Sequence, residues 1–129
     1  MKELKFYNEI HKYNNKERIQ VYKEVKQLIK DYYELCGVVY KVLKKETNRD
    51  KVAQILSQLL PNKKINNYNI ENCIDISYLN GVVYTIAFNG EVEVLTSIEY
   101  LDTSGFIWSM DLEEYKELEK ELKIFIGEK

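Results

Sequence analysis

Three kinds of side chain in this sequence have the chemistry to act on another molecule: one histidine, two cysteines and a group of carboxylates between residues 75 and 93. His11 is the only histidine among 129 residues. With no Cys or Ser at matched spacing it makes no catalytic pair, and a half-buried place on a first helix is expected for it. Cys36 and Cys73 are far apart inside apolar patterns and lack metal-ligand spacing, so both read as reduced core thiols. No phosphate-binding loop, Gly-rich dinucleotide turn, nucleophile elbow or Cys/His cluster occurs. Neither a cofactor nor a metal site is therefore expected.

The carboxylates matter only if a sheet gathers them. Residues 72 to 99 hold two Asn-Gly pairs between three β-rich runs, Cys73 to Leu79, Val82 to Phe88 and Glu91 to Glu99. Asn-Gly supplies the positive φ values of a two-residue hairpin turn, which predicts an antiparallel meander with Leu79 opposite Val82 and Phe88 opposite Glu91. In that register Ile74, Ile76, Tyr78, Val83, Thr85, Ala87, Val92, Val94, Thr96 and Ile98 form the core face. The opposite face takes Asp75, Tyr84, Ile86, Phe88, Glu91, Glu93 and Leu95. Asp75 and Glu93 would then flank Ile86 with backbones about 9 to 10 Å apart, a separation open to an inverting acid/base pair or a loose cation site. No substrate clamp accompanies them, so the reading is non-enzymatic. An apolar strip of Tyr84, Ile86, Phe88 and Leu95 rimmed by Asp75, Glu91 and Glu93 has instead the composition of a protein-binding patch, unless a helix covers it.

The elements around the meander follow from periodicity. Leu4, Tyr7, Ile10 and His11 give a short first helix. Asn14 with Glu17 three residues on is a capping-box signal, and Tyr22, Val25, Ile29, Tyr32, Cys36, Val39 and Leu43 then alternate steps of three and four. Unbroken to Lys45 that helix would measure about 46 Å, against a domain diameter of roughly 36 Å. Gly37 and the β-branched Val38-Val39 argue for a break, the unbroken spacing for continuity; continuity is the reading taken. Thr47 with Asp50 predicts the cap of a further helix, ending before Pro61. Residues 62 to 69 read as a polar connector. After the meander, Asp102 to Gly105 is a turn cluster, Phe106 to Ser109 a fourth strand, and Asp111 with Glu114 the cap of a last helix with the stripe Leu112, Tyr115, Leu118, Leu122 and Phe125.

The expected fold is thus α+β in a single domain, 1–129: a helical segment over residues 1–61 with one long helix, the connector 62–69, and over 70–129 a three- to four-stranded antiparallel meander with a C-terminal amphipathic helix. That order of elements resembles small adaptor, immunity and secretion-chaperone domains. No apolar run is long enough to cross a membrane and no secretory signal pattern opens the chain, which makes a cytoplasmic protein the expectation. Charge is uneven: residues 1 to 69 hold 15 Lys/Arg and 8 Asp/Glu, +7, while residues 70 to 129 hold 4 and 13, −9. An acidic, tyrosine-bearing sheet face points to a protein partner with a basic surface, bound by a small inhibitor or immunity-type protein that occludes it. The alternative is a small nucleic-acid-binding regulator using Lys23, Lys26, Lys30, Lys44 and Lys45. Having only two arginines, Arg18 and Arg49, weakens that alternative, because base readout leans on Arg. The long helix also offers a homodimer interface, and no helix has the basic-against-apolar faces of a membrane binder.

Overall fold

Each long helix begins at a side chain that closes its first turn. In the computed structural model, which describes residues 4–88 and 93–127, Asn14 Oδ1 accepts the Glu17 amide at 2.8 Å while Glu17 Oε1 accepts the Asn14 amide at 2.9 Å. That box opens α2, Asn15–Leu43, after the single-turn helix α1, Tyr7–Ile10. The second cap falls on Asn48, one residue later than expected at Thr47. Asn48 Oδ1 accepts the Lys51 amide at 3.1 Å and starts α3, Arg49–Leu59. Asp111 accepts the Glu114 amide at 2.9 Å and opens α4, Leu112–Ile126, which Gly127 ends at φ 78°.

Continuity wins at Gly37. Helix α2 passes through it for 29 residues, about 43 Å. Its buried side chains run from Val21 through Leu35 and Val39 to Val42, so α3, folding back beside it, covers its far end. The apolar stripe outweighs the local cost of one glycine, roughly 1 kcal/mol.

The sheet has five antiparallel strands in sequence order: β1 Lys64–Tyr68, β2 Cys73–Ser77, β3 Val82–Ala87, β4 Glu93–Leu101 and β5 Ile107–Met110. The stretch expected as a connector is therefore an edge strand. It escapes pattern reading because only Ile65 turns inward as an apolar residue, while Asn67, on the same side, is held by Arg49 and Asp50 of α3. An edge strand has one unpaired rim and tolerates such polarity.

The first Asn-Gly corner is not the two-residue turn expected. Tyr78 and Val82 close a three-residue loop, with the Tyr78 amide donating to the Val82 carbonyl at 2.8 Å and the Gly81 amide to the Tyr78 carbonyl at 3.3 Å. Gly81 has φ 85°, while Asn80 is not among the non-glycine residues of positive φ. Only one left-handed residue is used, the pattern of a three-residue loop whose last residue is glycine. The extra loop residue moves the register by one: Ile76 faces Tyr84 and Ile74 faces Ile86. Since side chains alternate, a slip of one exchanges the two faces of β3. The second corner, Asn89-Gly90, lies outside the described residues. Beyond it the register of β3 and β4 shifts between Thr85 and Ala87, and Leu95 adopts φ 56°.

Ile74, Ile76, Val82, Tyr84, Ile86, Leu95, Ile98, Tyr100 and Trp108 consequently point inward and meet all the helices. Helix α4 lies antiparallel along α2, with Lys116 against the Tyr33 ring near one end and Phe125 against Arg18 near the other. Helices form one layer and the sheet the other.

Candidate docking surfaces

The side of the sheet away from the helices is built by the other parity of each strand. Lys64, Asn66 and Tyr68 of β1 stand beside Cys73, Asp75 and Ser77 of β2, then Val83, Thr85 and Ala87 of β3, Ser97, Glu99 and Leu101 of β4, and Ile107 and Ser109 of β5. None of these is buried. Leu101 and Ile107 are direct cross-strand partners, 49% and 58% exposed, and Glu99 with Ser109 form the next row along the sheet. Leu101 also adjoins the first hairpin, since its amide donates to the Gly81 carbonyl at 3.2 Å. At the tip of that hairpin Leu79 is almost fully exposed. The face therefore has an apolar corner bordered by polar and acidic groups.

The residues expected to form a binding strip divide. Tyr84, Ile86 and Leu95 are core residues, a correction that follows from the register shift and from the turn of backbone at Leu95. Phe88 is partly buried against the core. Asp75 does stand on the open face, where its carboxylate accepts the Thr85 hydroxyl at 2.7 Å. Glu91 lies outside the described residues, and the Glu93 backbone pairs with Ala87. Asp75 and Glu93 do not flank Ile86: Asp75 shares a row with Thr85 and Ser97, whereas Ala87 separates Glu93 from Cys73. Among the described residues no three His, Cys, Asp or Glu side chains converge as metal ligands would. No helix among them is long and apolar enough to cross a membrane.

A different carboxylate is the most heavily engaged. Asp102, 4% exposed, accepts the Tyr13 hydroxyl at 2.5 Å, the Trp108 indole at 2.9 Å and the Ser104 hydroxyl at 2.6 Å, with the amides of Ser104 and Phe106 at 2.8 and 3.1 Å. Burial alone would raise its pKa. The bonds from Ser104, Tyr13, Trp108 and the Phe106 amide outweigh burial and hold it below the usual carboxylate range. Burial, and then the bond to Asp102, push the Tyr13 phenol up to about 12. With five donors on two oxygens no lone pair remains for a substrate, so Asp102 is a knot that ties the β4–β5 hairpin to the start of α2. Its partners lie up to 89 residues away in sequence, and no local pattern announces them.

His11 is exposed at the end of α1 rather than half-buried. Its ring stacks on Tyr7 at 5.1 Å, and Nδ1 lies 2.9 Å from the Tyr7 carbonyl. Helix α2 turns Lys23, Lys26, Lys30 and Lys41 to solvent, with Lys44 and Lys45 just past its end. Neither arginine joins them. Arg18 donates to the Ile10 and His11 carbonyls, and Arg49 is enclosed by Asp50, Asn67, Asn69 and Asn72.

Sequence reasoning located the β4–β5 turn but not the Leu101–Ile107 pair. Pairing the two strands across Asp102 to Phe106 would have found it. Comparison with family models, with curated proteins and with solved structures finds no match for this chain.

Proposed function

We propose that this is a non-enzymatic binding module that docks another protein on the uncovered face of its sheet, as a small cytoplasmic inhibitor or immunity-type protein. One observation carries the reading: among the described residues the helices all pack on one side of the sheet, and the other side presents Leu101 beside Ile107 with Glu99 in the adjoining row. A paired apolar centre with an acidic border favours a partner surface that is apolar at its middle and basic at its rim. Both cysteines are free thiols, in keeping with a reducing compartment. The mechanism is occlusion. The apolar pair governs the lifetime of the complex, and Asp75 and Glu99 govern its rate of formation.

The test is site-specific photo-crosslinking in the native host, with the reactive side chain at Ile107 or, as control, at the exposed Gln54 of α3 on the helical side. One protein adduct from position 107 and none from position 54, lost when Leu101→Glu is added, supports the reading. Adducts from position 54 alone overturn it. A second reading, a small nucleic-acid-binding regulator, draws on the exposed Lys23, Lys26, Lys30, Lys44 and Lys45. It predicts a steep loss of duplex binding with added salt, and no duplex binding at about 50 mM salt removes it.

A further inference from the structure

On the helical side, remote from the open sheet face, α2 runs past the last turn of α4, and the two enclose a groove of about 770 Å³. Ile19, Tyr22 and Ile126 give it an apolar floor, and Lys23, Lys26 and Lys30 stand along it. All three lysines are exposed. Among the described residues none of them forms an ion pair; Lys26 rests over the Tyr22 ring at 5.3 Å. The acids of the same helix face other partners. Glu24 accepts from Gln20 and from the Tyr100 hydroxyl, and Asp31 accepts from Gln27. Among the described residues, then, three lysines line the groove and no carboxylate is paired with them.

We infer that this groove receives an acidic amphipathic helix from a partner protein. From Ile19 to Lys30 the groove is about 16 Å long, three helical turns. A helix laid there places apolar residues at i, i+4 and i+7 on the Ile19, Tyr22 and Ile126 floor, and flanking Asp or Glu side chains opposite the lysines. A nucleic acid fits the same charge less well. Its phosphates have no use for an apolar floor, and both arginines that would read bases already donate to acceptors of the chain itself.

The inference is tested by fluorescence anisotropy on the full chain with three labelled probes. They are a helix-forming peptide of Leu and Glu of about 18 residues, a peptide of the same composition with its leucines spread round the helix, and a DNA duplex of about 20 base pairs. The amphipathic peptide is expected to bind roughly 10-fold tighter than either other probe. The double variant Lys23→Glu with Lys26→Glu should lose that binding and gain affinity for the corresponding Leu/Lys peptide. These residues are exposed, and an unchanged thermal unfolding curve confirms that the variant is folded. Equal binding of the rearranged peptide, tighter binding of the duplex, or no binding of the amphipathic peptide each overturns the proposal. The variant Leu101→Glu should leave peptide binding unchanged, which separates this groove from the sheet face.

Discussion

The hydroxyl of Tyr84, at the centre of the sheet, donates to the main-chain carbonyl of Leu28 in the middle of α2 at 2.8 Å. The same device recurs. Tyr100 reaches Glu24, Tyr13 reaches Asp102, and the Tyr115 hydroxyl lies 2.8 and 3.1 Å from the carbonyls of Ile98 and Trp108. Much of the tyrosine content therefore joins the helical layer to the sheet. Each ring supplies apolar area and each hydroxyl finds a partner, as burial of a phenol requires. The Tyr84→Phe variant keeps the ring and removes the bond, and since the Leu28 carbonyl retains its place in α2 the expected loss is about 1 kcal/mol. Urea unfolding measures it, and a loss above roughly 3 kcal/mol would show that the hydroxyl holds more than this one contact.

Asp102 makes stability depend on pH at both ends. Its folded pKa lies below the unfolded value, so its contribution is complete above the ordinary carboxylate range and drains away as pH falls through the folded value. Tyr13 works in the opposite sense. Its folded pKa is raised to about 12, so its contribution is complete below the ordinary phenol value near 10 and is lost as pH climbs from there to about 12. Unfolding free energies of wild type and Asp102→Asn, compared from pH 3 to 7, should converge toward the acid end. Asp102→Ala, which strands the Tyr13 and Trp108 donors, is expected to cost about 3 kcal/mol at neutral pH.

Gly37 sits within α2, is exposed, and a Cβ placed on it meets nothing within 4 Å. Gly37→Ala should therefore stabilise the protein by roughly 0.5 to 1 kcal/mol, by removing freedom from the unfolded chain. A raised midpoint in chemical unfolding is the expected result, and a lowered one would place a hinge at this position.

Gly81 should behave in the opposite way. Its φ of 85° suits few L residues, and an added Cβ would lie 3.3 Å from the Leu101 carbonyl oxygen. Gly81→Ala is expected to cost about 1 to 2 kcal/mol and to disturb amide exchange in both adjoining hairpins. Asn80 in the same loop accepts the Val82 amide on its Oδ1 at 3.3 Å, so Asn80→Ala is expected to cost about 1 kcal/mol.

Short-range rules determined a good deal of this protein. The Asn14–Glu17 and Asp111–Glu114 boxes, the stop at Gly127, the continuous three-four spacing of α2 and the α+β order of elements are all written within a few residues or a few turns, and sequence displays them directly. Tertiary structure decided which side of the sheet is inside. That choice hangs on whether the Asn80-Gly81 corner takes two residues or three, and both loops satisfy the glycine; packing of Tyr84 against Leu28 and Tyr32 of α2, with Ile86 buried in the same core, selects the three-residue form. Because side chains alternate along a strand, this one-residue difference moved Tyr84 and Ile86 from the surface to the core, while Ile98 of β4 kept its expected inward place. The knot at Asp102 was decided in the same way, by groups as much as 89 residues apart that meet only once the layers close.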